Sequence, residues 1–370
     1  MWQASIVSAT NSCGGLPASL PVCLPACLRA CLAALALFAT VCLETACAQA
    51  PGEFVADPAP TPSSHASTLV ELKSGSILAA WFGGTEEGAH DVAIWAARRQ
   101  GEHWQKPFVL AREPDVATYN PVLFHSADGV LWLYYKLGRS PTAWSAARRF
   151  SRDEGNTWSE VEYLPAGLLG PIRAKPLVLE DGTIVAGSSV ESYRTWAVWI
   201  ERSTDQGKSW TKLGPISAAG PAHGSDKGRH GIIQPSVVAL DERGQHLRIF
   251  VRATKDIGRI CAADSFDAGL TWTAASPTEL PNPNSGIDAL RLADGRFVMV
   301  YNDSTLLRTP LVLAVSTDAT HWRNFLTLEN APGEFSYPAL IQAKSGALLI
   351  TYTWDRKRIR FVKVDLAQVP

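Results

Sequence analysis

Ser151-Arg-Asp-Glu-Gly-Asn-Thr-Trp158 returns along the chain as Ser203-Thr-Asp-Gln-Gly-Lys-Ser-Trp210, as Ser265-Phe-Asp-Ala-Gly-Leu-Thr-Trp272 and, shortened, as Ser316-Thr-Asp-Ala-Thr-His-Trp322. The shared pattern is S-x-D-x-G-x-[ST]-W. A worn copy, Gly101-Glu-His-Trp104, follows Trp95-Ala-Ala-Arg-Arg99 just as the first box follows Ser145-Ala-Ala-Arg-Arg149. The closing tryptophans are separated by 54, 52, 62 and 50 residues, the length of one four-stranded sheet. Turn chemistry accounts for the boxes: Ser and Asp bond the turn's own backbone, Gly takes a positive φ and Trp packs inward. They mark a fold and carry no reaction.

Between the boxes the sequence writes hairpins, two apolar or alternating runs joined by a short turn. Thr68–Leu72 precedes Ser76–Phe82, Pro121–Phe124 precedes Val130–Tyr135, and Pro176–Leu179 precedes Thr183–Ala186. The same grammar joins Pro235–Ala239 to Leu247–Val251, Ala289–Leu292 to Arg296–Tyr301, and Pro338–Ile341 to Ala347–Tyr352. Six hairpins, each extended by a third strand and a box turn, predict an all-β, six-bladed β-propeller of four-stranded antiparallel blades. Composition agrees: 13 Trp, 28 Gly and 24 Pro beside 2 Met in 370 residues suit a loop-rich β protein better than a helical bundle.

The first fifty residues are of another kind. They hold six of the seven cysteines, leaving Cys261 alone in the remainder, so the folded part has no internal disulfide. Arg29, the apolar run Ala30–Leu43 and the small-residue site Ala48-Gln49-Ala50 read as a secretory leader, too short to span a bilayer. Residues 1–50 are therefore expected to be a signal peptide and residues 51–370 a single propeller domain, periplasmic or secreted. Leu43-Glu-Thr-Ala-Cys47 approaches a lipoprotein processing pattern but spaces its Leu one position too far, so lipid anchoring at Cys47 is the weaker expectation. A formal charge of -1, from 34 Lys+Arg and 35 Asp+Glu, gives no electrostatic reason to bind nucleic acid. No phosphate loop, dinucleotide fingerprint or Cys/His zinc pattern is present, so neither cofactor nor metal is expected. The expected partner is an acidic glycan or sugar acid, the protein acting as a monomer without a membrane span.

The boxes and the hairpins between them, over about His65 to Leu366, resemble the sialidase (neuraminidase) superfamily and its BNR-repeat relatives. The resemblance implies an arginine triad that grips a substrate carboxylate, a Tyr nucleophile with a Glu partner, and an acid/base carboxyl in the first blade. Arg252 in Phe250-Val-Arg-Ala-Thr254 matches the second arginine, Arg308 in Leu307-Arg-Thr-Pro310 the third, and Tyr337 in Phe335-Ser-Tyr-Pro338 the nucleophile. His65 stands where the first arginine belongs, which replaces a fixed cation by a titratable ring. Gln234 in Ile232-Ile-Gln-Pro-Ser236 stands where the Glu belongs, and a Gln cannot take a proton. Glu86, Glu87 and Asp91 are candidates for the acid/base, with Glu86 and Asp91 preferred.

On their own chemistry, two arginines and a tyrosine suit an anionic sugar, because guanidinium groups hold a carboxylate by charge-assisted, bidentate hydrogen bonds. Polar groups around the expected mouth, Lys136, Glu191, Asp288 and Asn302, are further substrate-binding candidates. Tyr119, Asn120, Arg173, Lys175 and Tyr301 are secondary, and Asn282 and Asn284 read as turn formers. The Gly-rich stretch Ala218–Gly231, with His223 and His230, reads as a flap over the mouth. Three functions stay open: a sialidase-like hydrolase of terminal acidic sugars, a uronate-directed lyase using Tyr337 and His65, and a glycan-binding propeller without catalysis.

Overall fold

A computed structural model of the protein describes residues 52–193, 195–219 and 230–370. The leader with Cys47, and the centre of the expected flap with His223, lie outside the described residues. Among the described residues the chain forms twenty-five β-strands and two single-turn helices, arranged as six antiparallel blades of four strands, the outer edge of blade 1 being split into two short strands. The inner strands are Ser63–Glu71, Thr118–His125, Leu177–Val178, His230–Ala239, Asp288–Arg291 and Phe335–Gln342, in blades 1 to 6 respectively. This is the six-bladed propeller that the box spacing predicts.

Side-chain alternation explains how the blades pack. In the second strand of blade 4, Ile249 and Val251 face blade 3, whereas Phe250 between them faces blade 5. Every junction is filled this way by its own apolar cluster. Leu78, Leu123 and Leu133 join blades 1 and 2; Tyr134 and Ile184 join 2 and 3; Val300 and Ile350 join 5 and 6. The last cluster, with Leu69, Trp81, Leu349 and Phe361, joins blade 6 back to blade 1 and closes the ring. Closure is also made by hydrogen bonds, since Gly52–Phe54 supplies the outer strand of blade 6 by pairing with Arg358–Val364. A three-residue strand carries no readable pattern, and the sequence did not reveal this closure.

The boxes do what turn chemistry requires. In the three complete copies the Ser hydroxyl accepts the Gly N–H at 2.7–2.8 Å, the Asp carboxylate accepts the Thr or Ser hydroxyl at 2.6 Å, and the Trp indole donates to the Gly carbonyl. In the shortened copy the His321 ring pairs with Asp318 at 2.8 Å in place of that hydroxyl.

Blades 3 and 4 have one unusual link, a parallel pairing of Thr195 with His230 and Trp196 with Gly231. Gly231 sits at φ +139, and a Cβ there would collide with the backbone of Trp196. Gly231→Ala should therefore cost at least about 2 kcal/mol in urea unfolding, where an exposed-loop substitution would cost a few tenths.

Candidate functional site

One register break recurs at the same place in four inner strands. Pairing shifts between His65 and Thr68, Tyr119 and Val122, Ile233 and Ser236, and Ser336 and Ala339. Within each break one non-glycine residue takes a positive φ: Ala66 (52°), Asn120 (41°), Gln234 (55°) and Tyr337 (53°). A left-handed backbone costs an L-residue about 1–2 kcal/mol, and such bulges re-aim side chains where a site needs them. Here they bring Gln234 and Tyr337, from blades 4 and 6, into contact.

Tyr337 is the centre of the cluster. Its phenol oxygen accepts Nη1 of Arg252 at 2.7 Å and Nε2 of Gln234 at 3.4 Å. Arg252 also donates to Oε1 of Gln234 at 3.2 Å and, through Nε, to Oδ1 of Asn284 at 2.6 Å. Its guanidinium lies over the Trp196 ring. Arg308 stands 5.7 Å from the Tyr337 ring centre and donates to the Asn284 carbonyl at 3.2 Å and to Glu334 at 2.7 Å. Asn284, read as a turn former, thus bridges the two arginines while holding its own turn at φ +63.

A third arginine stands at the edge of the cluster, close enough for its charge to act on His65. Arg356, in the turn after Trp354, bonds Glu334 at 2.9 Å beside Arg308 and also pairs with Glu87. Arg308, Glu334 and Arg356 form one ion-paired line at the mouth. Both cations hold the Glu334 carboxyl below its ordinary range despite burial.

His65 does not act as a substitute cation. Its ring is buried, bonds the Thr353 hydroxyl at 2.9 Å and lies 4.4 Å from the Tyr337 ring. Burial, followed by the charges of Arg356, Arg308, Arg252 and Arg173, drives its pKa well below 6.5, so the imidazole is neutral. Tyr337 moves the other way in effect. Burial opposes ionisation, but Arg252, Arg308 and the Gln234 amide overcome it and hold the phenol below its usual 10. A Gln at 234 donates to the phenol oxygen where a Glu would accept from it, and donation favours the phenolate.

The structure reassigns several other candidates. Asp91 is engaged in its own turn: its carboxylate accepts the Thr85 hydroxyl and N–H at 2.8 and 2.9 Å, bonds that lower its pKa from the usual range. Glu86 is exposed on the same turn and makes no bond to the cluster. Glu87, between them, is the carboxyl that reaches the mouth through Arg356, and its charge is felt by both Tyr337 and Tyr119.

Lys136 is fully buried, its ammonium driven down to about 7 by burial and spent on the Pro171 carbonyl at 2.9 Å. Asp288 accepts from the Ser236 hydroxyl and the Leu340 N–H at 2.9 Å each, with Lys175 3.6 Å away. Asn302 donates to the Phe335 and Pro310 carbonyls. These three join blades and are removed from the substrate-binding set. Glu191 ends the second strand of blade 3 opposite Trp196, on the Arg252 side of the ring. His230, at the start of blade 4, pairs with Asp256.

Of the residues singled out in the sequence, Arg252, Arg308, Tyr337, His65 and Gln234 come together in this cluster. Arg356 and Glu334 lie in connecting segments, where no sequence pattern sets them apart. The neutral His65 generates a test. The unfolded chain binds its proton near pH 6.5 and the folded protein does not, so stability should fall as pH drops below about 6.5, by up to ~1.4 kcal/mol per pH unit. His65→Gln should flatten that slope in urea titrations between about pH 6.5 and 5; an unchanged slope would place the dependence elsewhere.

Comparison with known proteins agrees with this architecture. The family model of the BNR repeat-like domain matches residues 75–350. Among solved structures, a Hadza microbial sialidase superposes with TM-score 0.70 at 19% identity, covering 86% of this chain and 69% of its own. The NanB sialidase of Streptococcus pneumoniae gives 0.67 at 12% identity, with 84% and 69% covered. A protein of unknown function from Dyadobacter fermentans gives 0.68 at 16%, with 82% and 94% covered. No curated protein matches the sequence. At these identities the superpositions establish the fold, and the family model, which matches most of the chain, establishes that this chain belongs to the BNR repeat-like domain family.

Proposed function

We propose that the protein is an exported glycoside hydrolase acting on terminal acidic sugars, sialic acid or a related 2-keto sugar acid. The observation that carries this reading is a phenol bonded to one arginine and flanked by another, with a third arginine at the mouth. Arg252, Arg308 and Arg356 bind the carboxylate, as planar guanidinium groups do best. Tyr337, activated by positive charge in place of a carboxylate base, attacks the anomeric carbon while the glycosidic C–O bond breaks. Glu87, carrying a proton drawn from solvent in the substrate complex, delivers it to the departing oxygen. Water activated by the same carboxylate then displaces the phenol oxygen, giving net retention. No membrane-spanning helix occurs among the described residues, and the leader supports export to the periplasm or the medium.

A second reading is favoured by one feature: no carboxyl group bonds the Tyr337 hydroxyl, because Gln234 occupies that place. A phenolate beside a neutral imidazole suits proton abstraction next to a uronate carboxylate, followed by β-elimination. The two reactions give different products. Incubation with sialyl-lactose and 2-keto-sugar conjugates should release free sugar acid, and Tyr337→Phe should abolish that release.

Glu87→Gln should lower turnover about 10²–10⁴-fold for substrates with poor leaving groups. Arg356→Met should raise KM about 10–100-fold with a smaller change in kcat, the loss of one charge-assisted bond. An unsaturated uronate absorbance from acidic polysaccharides, without sugar release, would establish elimination instead. Calorimetric binding of a sugar acid recovered unchanged would reduce the protein to a lectin-like propeller.

A further inference from the structure

Arg173 is left over by this account. It enters from the segment before the short inner strand of blade 3, is 4% exposed, and crosses the axis of the ring. Its Nη1 donates to the Ile287 carbonyl of blade 5 at 2.8 Å, and its Nη2 to the carbonyl of Pro338, the residue after Tyr337 in blade 6. Its guanidinium carbon stands 5.4 Å from the centre of the Tyr337 ring. Nε is buried without an acceptor, and no carboxylate among the described residues bonds the side chain. The nearest acid, Asp288, is already occupied by Ser236, Leu340 and Lys175.

The segment that carries Arg173 is held at several points. Lys136 donates to the Pro171 carbonyl, Glu201 accepts the Leu169 and Gly170 N–H groups at 3.0 and 2.6 Å, and the Ile172 N–H bonds Gly187 at 2.9 Å. The two buried ionic groups removed from the substrate set or unassigned in sequence, Lys136 and Glu201, thus serve to fix this arginine. Burying a guanidinium without a carboxylate costs several kcal/mol, and a neutral side chain could fill the space more cheaply. The charge therefore calls for a partner. Asp288 offsets part of that charge without bonding the guanidinium, and the ring it faces is the group in contact. A tyrosine's π face attracts a cation, and far more so when the phenol ionises and spreads negative charge into the ring.

We infer that Arg173 is a positioning residue for Tyr337, tying its ring to the axis by the Pro338 carbonyl and favouring the phenolate by a fixed positive charge against the ring face. The inference deepens the reading of Tyr337 as the reacting group and rests on it for its functional meaning. The groups that face Tyr337 are neutral His65 from blade 1, Arg173 from blade 3, Arg252 and Gln234 from blade 4 and Arg308 from blade 5. Glu87 and the Glu334–Arg356 pair stand farther out. Arg252 acts at the oxygen, while Arg308 and Arg173 stand 5.7 and 5.4 Å from the ring centre, so removing Arg173 should weaken but not abolish the effect.

The experiment is an ultraviolet difference titration of phenolate in the full-length protein, with Tyr337→Phe identifying which of the eight tyrosine steps belongs to Tyr337. In Arg173→Met that step should rise by about one pH unit, a tenfold loss of phenolate at a fixed pH below it. Arg173→Lys keeps the charge while losing one of the two carbonyl bonds, so its step should stay near the wild-type position. A Met variant with an unmoved step, or a folded Lys variant whose step rises as far as that of Met, would overturn the electrostatic role. Should the Met variant fail to fold, Arg173→Gln, which retains one carbonyl bond, takes its place under the same criterion. The titration needs no substrate: failure to find sugar-acid turnover leaves it untouched, and an unmoved step leaves the proposed chemistry resting on Arg252 and Arg308.

Discussion

The site depends on a break in β-sheet register. A regular inner strand would alternate its side chains between the two neighbouring blades, as Ile249, Phe250 and Val251 do one strand farther out, and would leave nothing over the axis. The bulge at Ile233–Ser236 and its equivalents in blades 1, 2 and 6 insert one left-handed residue and change that alternation at the mouth. Each costs backbone energy that six apolar blade junctions offset. The stable ring and the strained rim are thus two parts of one arrangement, with rigidity in the blades and chemistry on the residues they hold out of register.

Most of the architecture was legible because the propeller repeats itself. Ser, Asp, Gly and Trp recur at fixed offsets for reasons local to one turn, and four copies reinforce one another. Arg252, Arg308 and Tyr337 were legible by position within that frame. What stayed hidden depends on contacts distant in sequence. Asp91 and Glu87 lie in one turn, and nothing in the sequence says that Thr85 takes the first and Arg356 the second. Arg356 follows Asp355 in what reads as an ordinary hairpin turn, both residues with positive φ, yet ring closure carries it to the mouth beside blade 1. Lys136 and Asp288 looked like pocket residues because they are polar amid apolar strands. Both are instead spent on neighbours inside the ring, Lys136 on the Pro171 carbonyl and Asp288 on Ser236 and Leu340.

Two residues beside Tyr337 act on it without a charge of their own. At 65 a neutral ring packs against the phenol ring, while positive charge at the rim is carried by the turn-borne Arg356, held by Glu334 and Glu87. At 234 an amide supplies a donor to the phenol oxygen where a carboxylate would supply an acceptor. Arg252, Arg308 and that amide together favour the ionised form of the phenol against the opposing effect of burial.

Charge balance around Tyr337 sets what the mouth will accept. Four guanidinium groups, Arg173, Arg252, Arg308 and Arg356, surround the ring or pair beside it, against the two carboxylates Glu87 and Glu334, while His65 stays neutral. The cluster so defined carries two surplus positive charges, with Arg173 and Arg252 buried and the Arg356–Glu87 pair at the exposed edge. Like charges repel most strongly where water is excluded. The lowered pKa of Tyr337 is one response, since a phenolate offsets part of that charge. Arg308 and Arg356 are the more exposed members, so the remaining surplus is presented outward and favours encounter with an anion over a neutral molecule.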